Sequence, residues 1–241
     1  MFKKWKTFFL DLLFPQFCLN CQKEGSLVCP DCLATIDINP FQYCPFCFFP
    51  NRVIKNGKCQ SHQTFQLNGL FSAVSYQDKL VKKMVSLFKY EPFIRNLCQP
   101  LAFLIISHFM LTQNQQALVD KSAVFIPVPI TTKKLRKRGY NQSAVVAKIL
   151  SIYYGLDLQT KNLMKIKNTQ DQVGLSRQER QHNIFGAFVI KNPDLIAKKT
   201  IFLVDDVFTT GATMEECARV LKANGAKKVY GIAIAREGLE K

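Results

Sequence analysis

The stretch TIFLVDDVFTTGAT, residues 200–213, decides the fold. Residues 201–204 are an apolar run, which predicts a buried strand, and two adjacent aspartates end it. A turn of threonine, glycine and alanine leads into a predicted helix over residues 213–223. The sequence VYGIAIA, residues 229–235, predicts a second buried strand. Buried strands joined through a helix indicate a parallel sheet, so we expect an α/β domain.

The two aspartates, Asp205 and Asp206, stand where α/β proteins bind ligands, beyond the carboxyl end of a parallel strand. A phosphate fits the unpaired N–H groups of the helix that follows, and glycine lets the backbone approach it closely. Paired carboxylates suit sugar hydroxyls or Mg²⁺. The pattern predicts a phosphorylated ribose with a metal-bound second phosphate; an ordinary capped turn is the alternative. The TTGAT turn consists of Thr209, Thr210, Gly211, Ala212 and Thr213.

A basic segment, IPVPITTKKLRKRGYNQ at residues 126–142, follows the Pro-Val-Pro end of another predicted strand. It is either a solvated loop or the place where cations stabilise a leaving pyrophosphate. Its candidate residues are Lys133, Lys134, Arg136, Lys137, Arg138 and Asn141. With Arg177, Arg180 and the cysteine-rich segment, these cations could also form a path for single-stranded DNA. The aromatic side chains available for base stacking are Tyr140, Phe185 and Phe188.

Other segments supply the remaining elements of the domain. Strands are predicted at residues 69–76 and 123–130, and helices at residues 78–88, 95–111 and 141–155. The polar segment over residues 168–183 contains SRQE at residues 176–179, a capping-box pattern that could open a short helix.

Cysteine spacing predicts two zinc sites near the amino end. One set is Cys18, Cys21, Cys29 and Cys32, and the other is Cys44, Cys47, Cys59 and His62. Grouping in sequence order is simplest, but a cross-braced grouping uses the same residues. Four protein ligands leave no open position, so structural zinc is expected. Cys98 and Cys217 fall on apolar helical faces and are predicted to be inert core thiols.

The length, composition and net charge of the chain limit its possible domain organisation and partners. The chain has 241 residues and is 48% hydrophobic, enough for a small module at residues 1–66 and a larger domain at residues 67–241. Its net charge of +16 favours anionic partners: nucleic acid, phosphorylated metabolites or an acidic membrane surface. Residues 1–14 predict a short helix that packs on the protein or lies on a membrane, not a signal peptide. Zinc-type cysteine usage indicates a reducing, cytoplasmic compartment.

The residues VDDVFTTGAT resemble the signature for phosphoribosyl pyrophosphate (PRPP) of type I phosphoribosyltransferases. In that family the acidic pair holds the ribose hydroxyls and the TTGAT-like loop holds the 5′-phosphate. The loop after the first core strand binds pyrophosphate, and a flexible loop closes over the ligand. These roles imply Asp205 and Asp206 for the ribose, the TTGAT turn for the phosphate and residues 168–188 for the closing loop.

The cysteine pairs, taken with PVP, RKRGYNQ, TQDQVGLSRQERQHNIFGAF and VDDVFTTGAT, resemble the ComF family of competence proteins over essentially the whole chain. Members are linked to the handling of incoming DNA during natural transformation. His62 stands where they more often have a cysteine.

The resemblance implies a PRPP-binding competence protein with structural Zn²⁺, and with Mg²⁺ bound alongside PRPP. Its expected partners are single-stranded DNA and DNA-uptake proteins, in the cytoplasm or peripherally at the inner membrane. The alternative is a Mg²⁺-dependent phosphoribosyltransferase with an unidentified acceptor, for which no catalytic base stands out. A ligand-sensing regulator is a third reading, although the sequence contains no helix-turn-helix motif. Sequence leaves the acceptor, the partner proteins and the oligomeric state open.

Overall fold

The computed structural model describes residues 15–47, 49–53, 57–112, 120, 122–167, 179 and 183–238. Within these ranges, no helix combines the length and the apolar character needed to cross a membrane. The predicted helix at residues 1–14 lies outside the described residues, and so do Arg177, Arg180 and most of the polar segment at residues 168–183.

The strands are β1 (Gly69–Ser75), β2 (Val124–Pro127), β3 (Asp157–Leu158), β4 (Leu163–Lys165), β5 (Phe188–Ile190), β6 (Thr200–Phe208) and β7 (Lys228–Arg236). Among the described residues they form a five-stranded sheet in the order β1–β7–β6–β2–β3 and a separate β4–β5 pair. Every pairing in the larger sheet is parallel, and β6 lies in its middle between β7 and β2. The predicted α/β fold with a parallel sheet is confirmed.

The helices are α1 (Pro30–Ala34), α2 (Lys79–Lys89), α3 (Cys98–Leu111), α4 (Thr132–Arg138), α5 (Gln142–Tyr154) and α6 (Ala212–Ala223). Apolar side chains of α2, α3 and α5 pack on one face of the sheet. Those of α6 and the β4–β5 pair pack on the other. Because both faces are covered, the long central strands consist mostly of apolar residues, as parallel strands generally do. The predicted core thiols Cys98 and Cys217 are buried.

Capping explains where the helices begin and end. Asp78 accepts a hydrogen bond from the Val81 N–H at 2.9 Å and starts α2. Asn141 accepts one from the Ser143 N–H at 3.1 Å and starts α5, and Gly155 ends that helix with a φ of 64°. These helices therefore lie within a residue or two of their predicted bounds.

The basic segment, for which a solvated loop was one prediction, contains the short helix α4. The Thr131 hydroxyl accepts a hydrogen bond from the Lys134 N–H at 3.3 Å at its start, and Gly139 ends it with a φ of 74°. No residue of α4 is buried, so an apolar stripe could not reveal it. The caps stabilise the helix despite the repulsion between its cations.

The cysteine-rich segment packs against the domain formed by the sheet and its helices. Asn39 donates its backbone N–H to the Ala73 carbonyl at 2.8 Å, beside an antiparallel bridge between Ile38 and Val74. This contact covers the edge strand β1, which would otherwise expose unpaired backbone groups. The proposed boundary between residues 66 and 67 falls just before β1 begins at Gly69.

Candidate functional site: an acidic pair, a glycine turn and a basic helix

Asp205 and Asp206 lie in the last part of β6, at the carboxyl edge of the sheet. Asp205 Oδ1 accepts hydrogen bonds from the Ser143 hydroxyl at 3.0 Å and from the Asp206 N–H at 2.9 Å. Asp206 Oδ1 accepts one from the Val207 N–H at 2.7 Å. These bonds hold both carboxylates in fixed positions, with α5 contributing through Ser143.

A lysine from α2 completes the acidic pair. Lys89 Nζ lies 2.9 Å from Asp206 Oδ1, and 27% of the lysine side chain and 8% of the aspartate side chain are exposed. Burial lowers the pKa of Lys89, but attraction to Asp206 and Asp205 outweighs it and raises that pKa to about 12. The ammonium group therefore stays charged and offsets one carboxylate.

Asp205 carries the charge that remains uncompensated. Burial, followed by repulsion from Asp206, raises the pKa of Asp205 to about 7, although Lys89 and the hydrogen bonds oppose the rise. A carboxyl group in this state gains a proton near neutral pH unless a cation or hydrogen-bond donor reaches it. The acidic pair can therefore bind a second cation, or hydroxyl groups that donate hydrogen bonds to it.

The TTGAT turn joins β6 to α6 with a sharp reversal at Gly211, whose φ is 80°. A Cβ atom built on Gly211 would lie 2.5 Å from the ring of Phe208, so the turn packs directly on that ring. Both the backbone angle and the contact require glycine. Gly211 is the N-cap residue of α6 and offers no capping side chain, so the amino end of this helix faces the cleft at a place that suits an anion.

These parts line one open cleft of about 1210 Å³. Its cationic side chains are Lys89, Lys133, Lys134, Lys137, Arg138 and Lys165, and its carboxylates are Glu91, Asp205, Asp206 and Glu237. All five residues of the TTGAT turn line it as well. The structure therefore places the acidic pair, the turn and most of the predicted basic residues around the same space.

Some predicted residues are placed elsewhere. Among the described residues, Arg136 and Asn141 do not line the cleft; the Asn141 amide donates to the Val128 carbonyl at 3.0 Å while its oxygen caps α5. Tyr140 is 8% exposed and donates its hydroxyl to the Phe88 carbonyl at 2.7 Å. Tyr140 and the buried Phe188 are therefore wrong as stacking residues, because neither ring is accessible, whereas Phe185 is 62% exposed.

The eight predicted metal ligands form two compact groups. The first cluster is Cys18, Cys21, Cys29 and Cys32, and the second cluster is Cys44, Cys47, Cys59 and His62. Within each cluster the ligand atoms all lie within 4.8 Å of one another. The structure thus groups the ligands in sequence order and not in a cross-braced arrangement.

The spacing within each cluster suits a tetrahedral metal. The sulfur atoms of Cys21 and Cys29 are 3.5 Å apart, as are those of Cys47 and Cys59, while Cys59 Sγ lies closer to His62 Nδ1, at 3.1 Å. Zinc bonds of about 2.0–2.3 Å put neighbouring ligand atoms about 3.5–3.8 Å apart. All these cysteines are free thiols. Either cluster could hold a metal such as zinc.

The electrostatics of the clusters also suits a cation. Burial raises the pKa of Cys18 and Cys44, but hydrogen bonds from backbone N–H groups outweigh it and lower both to about 6. Each cluster therefore contains a thiol that is already a thiolate at neutral pH, the form that binds metal.

The sequence did not predict two residues that line the cleft, Lys89 and Ser143, or Glu215, which lies just behind the TTGAT turn. Glu215, in the first turn of α6, accepts hydrogen bonds from the N–H groups of Gln66 at 2.5 Å and Leu67 at 2.9 Å. The sequence does indicate that Lys89 is partly buried, because this lysine follows the buried Val85 by four residues and so continues the apolar stripe of α2. A lysine at such a position predicts an ion pair.

Comparison with known proteins defines the class first. Residues 135–238 match the family model for the phosphoribosyl transferase domain, and the parallel sheet with its flanking helices agrees with that match. The chain therefore carries a phosphoribosyl transferase domain.

Similar proteins extend the likeness beyond this domain. The chain is 26% identical to competence protein ComFC of Streptococcus pneumoniae over 90% of its length and 91% of that protein. It is 33% identical to competence protein F of Haemophilus influenzae, over 46% of this chain and 49% of that protein, so this alignment spans about half of the relative. DNA utilization protein YhgH of Salmonella typhi is 28% identical over 64% of this chain and 72% of that protein. The chain is therefore similar to competence and DNA utilization proteins of the ComF type.

Proposed function

We propose that the cleft binds PRPP together with Mg²⁺. The observation that carries this proposal is the juxtaposition of an acidic pair and a glycine turn that opens a helix at the carboxyl edge of β6. The phosphoribosyl transferase domain supports a phosphoribosyl ligand. In this proposal the TTGAT turn holds the 5′-phosphate and Asp205 and Asp206 hold the ribose hydroxyls.

The basic helix supplies the other end of the proposed site. Lys133, Lys134 and Lys137 of α4 and the adjoining Arg138 side chain line the same cleft as the acidic pair. A pyrophosphate group needs cations, and Mg²⁺ held by its oxygens would bring further positive charge towards Asp205. The cleft therefore offers complementary charge to each part of PRPP.

The pH dependence of PRPP binding tests this proposal. Because the pKa of Asp205 is about 7 without ligand, cation-assisted binding must displace a proton at low pH. Between about pH 6 and pH 8, we expect the affinity for PRPP with Mg²⁺ to rise about tenfold from this group alone. Calorimetric titration across that range measures the affinity, and buffers of different ionisation enthalpy report the proton released.

The control separates the protein from the ligand, whose own phosphates titrate near pH 6. Asp205→Asn should retain only the pH dependence that comes from the ligand. A folded wild type that binds no PRPP at any of these pH values would rule out the proposed ligand. Pyrophosphate release that increases with an added nucleophile would favour the alternative, a phosphoribosyltransferase with an unidentified acceptor.

We also propose a role in handling single-stranded DNA during DNA uptake. Relatives named as competence and DNA utilization proteins favour it, and so do the net charge of +16 and the exposed cations of α4. Phe185 is an accessible ring for base stacking, with the Arg219 guanidinium 5.0 Å from its centroid.

Salt dependence tests the DNA proposal. Each phosphate contact with single-stranded DNA contributes about 0.7 to the slope of log affinity against log salt. Neutralising two cations of α4, as Lys133→Gln with Lys137→Gln, should reduce the slope by about 1.4. Fluorescence anisotropy with a labelled oligonucleotide at several salt concentrations measures the slope.

A matched pair of exposed lysines provides the control. Lys227 and Lys228 lie at the start of β7, on the opposite edge of the sheet from the cleft. Changing both to glutamine removes the same charge and should leave the slope nearly unchanged. Equal effects of the two double variants would indicate binding through net charge, without a path along α4.

A further inference from the structure

The second cluster is joined to the TTGAT turn by contacts that the first cluster does not share. Cys44 and Phe46 belong to the core on the α6 face of the sheet, together with Phe208, Ala212 and Met214. Cysteines of the first cluster belong to the core on the opposite face. The two metal-binding groups therefore support different sides of the domain.

Arg236, the last residue of β7, makes the first connection. Its guanidinium Nη2 donates to the Pro45 carbonyl at 3.4 Å and to the Cys47 carbonyl at 3.5 Å, both in the second cluster's first knuckle. The same guanidinium lies 5.8 Å from the centroid of the Phe208 ring, on which Gly211 packs. A continuous series of contacts thus runs from the cluster to the turn.

Arg236 is also a buried cation in need of compensation. It is 3% exposed, and its Nε and Nη1 have no hydrogen-bond partner among the described residues. Three thiolates and one neutral imidazole around a divalent cation carry a net charge of −1, opposite to that of Arg236. Because an unpaired buried charge is costly, the loaded cluster is the natural counterion of this arginine.

Glu215 makes the second connection. It lies four residues after Gly211, and its backbone N–H donates to the Gly211 carbonyl at 2.8 Å. Its carboxylate receives the N–H groups of Gln66 and Leu67, just beyond the 3₁₀ turn Gln60–His62 that carries the histidine ligand. The chain leaving the second cluster is therefore anchored on the first turn of α6.

We propose that metal binding by Cys44, Cys47, Cys59 and His62 holds the TTGAT turn in its anion-binding shape, through Arg236 and Phe208 on one side and Glu215 on the other. The expected effect of this metal on PRPP affinity rests on the proposed function of the turn. The effect on the turn itself does not, since it concerns the backbone of residues 208–214.

Paired cluster variants test the proposal. His62→Ala should remove metal from the second cluster, and Cys21→Ser should weaken the first, which metal analysis of the purified proteins verifies. Hydrogen exchange of residues 208–214 without ligand should speed up about fivefold or more in His62→Ala and little in Cys21→Ser. His62→Cys, which restores a fourth ligand, should return exchange towards the wild-type rate.

Arg236→Met tests the connection without changing a ligand. We expect it to weaken metal binding at the second cluster about tenfold, as loss of a residue supporting metal ligands does. It should also raise exchange in residues 208–214. If Arg236→Met does not fold, Glu215→Gln tests the second connection, again through hydrogen exchange of residues 208–214.

The outcomes separate this inference from the proposed function. Wild-type exchange rates in residues 208–214 of metal-depleted His62→Ala would overturn the inference, and so would equal increases in both cluster variants. A wild type that binds no PRPP would overturn the proposed ligand only, because the exchange experiment needs none. Where PRPP does bind, its affinity should fall about fivefold or more in His62→Ala.

Discussion

The double variant Asp205→Asn, Asp206→Asn is expected to lose Mg²⁺-dependent PRPP binding by about 100-fold or more. Removing charged partners from a partly buried site costs about 2–5 kcal/mol, and 2.7 kcal/mol corresponds to a factor of about 100. The substitution keeps the size of both side chains, and asparagine can still accept the hydrogen bond that Ser143 donates to Asp205. The loss therefore reports charge, and calorimetry with and without Mg²⁺ measures it.

Two controls make the result interpretable. Asp194→Asn changes an exposed aspartate outside the cleft and should leave PRPP affinity unchanged. In the double variant Lys89 loses its buried partner, so the stability of this variant to unfolding should be measured alongside its PRPP binding. If the folded double variant bound PRPP with wild-type affinity and the same Mg²⁺ dependence, the acidic pair would have no part in the site.

The central unit of the fold could be predicted because its signals are local. In TIFLVDDVFTTGAT, the apolar run, the paired acids and the glycine turn stand next to one another, and they also stand together in space. The same holds for the metal clusters, where two short turns supply four ligands. Cap residues such as Asp78 and Asn141 fixed helix bounds for the same reason.

Features that depend on distant residues could not be predicted in this way. Lys89 and Asp206 are 117 positions apart, and their contact follows from the packing of α2 against the sheet. The link from Arg236 to the second cluster spans about 190 positions and likewise depends on how distant segments of the chain pack together. Helix α4 could not be predicted for another reason. Its run of like charges favours an open loop, and only the capping residues Thr131 and Gly139 indicate a helix.

Lys89→Met is expected to destabilise the protein by about 2–3 kcal/mol at pH 8, and by less at pH 6. Removing one partner of a largely buried ion pair leaves the other charge without compensation. Without Lys89, repulsion between the carboxylates raises the pKa of Asp205 further, so the folded state binds a proton that the unfolded state releases. Stability of the variant must then fall more steeply than wild type as pH rises from 6 to 8, which urea unfolding at both pH values measures.

The same variant shows whether Lys89 acts as the resident cation of the acidic pair. With the ammonium group gone, Mg²⁺ alone should raise the melting temperature of Lys89→Met at pH 8 and affect wild type much less, since a bound cation stabilises only the folded state. Lys79→Met, at an exposed position of the same helix, is the matched control and should unfold within about 0.5 kcal/mol of wild type. A loss of stability independent of both pH and Mg²⁺ would mean that Lys89 contributes through packing of its aliphatic chain. A loss that Mg²⁺ reverses would show that the acidic pair is a divalent-cation site that the protein keeps neutralised until a ligand brings the metal.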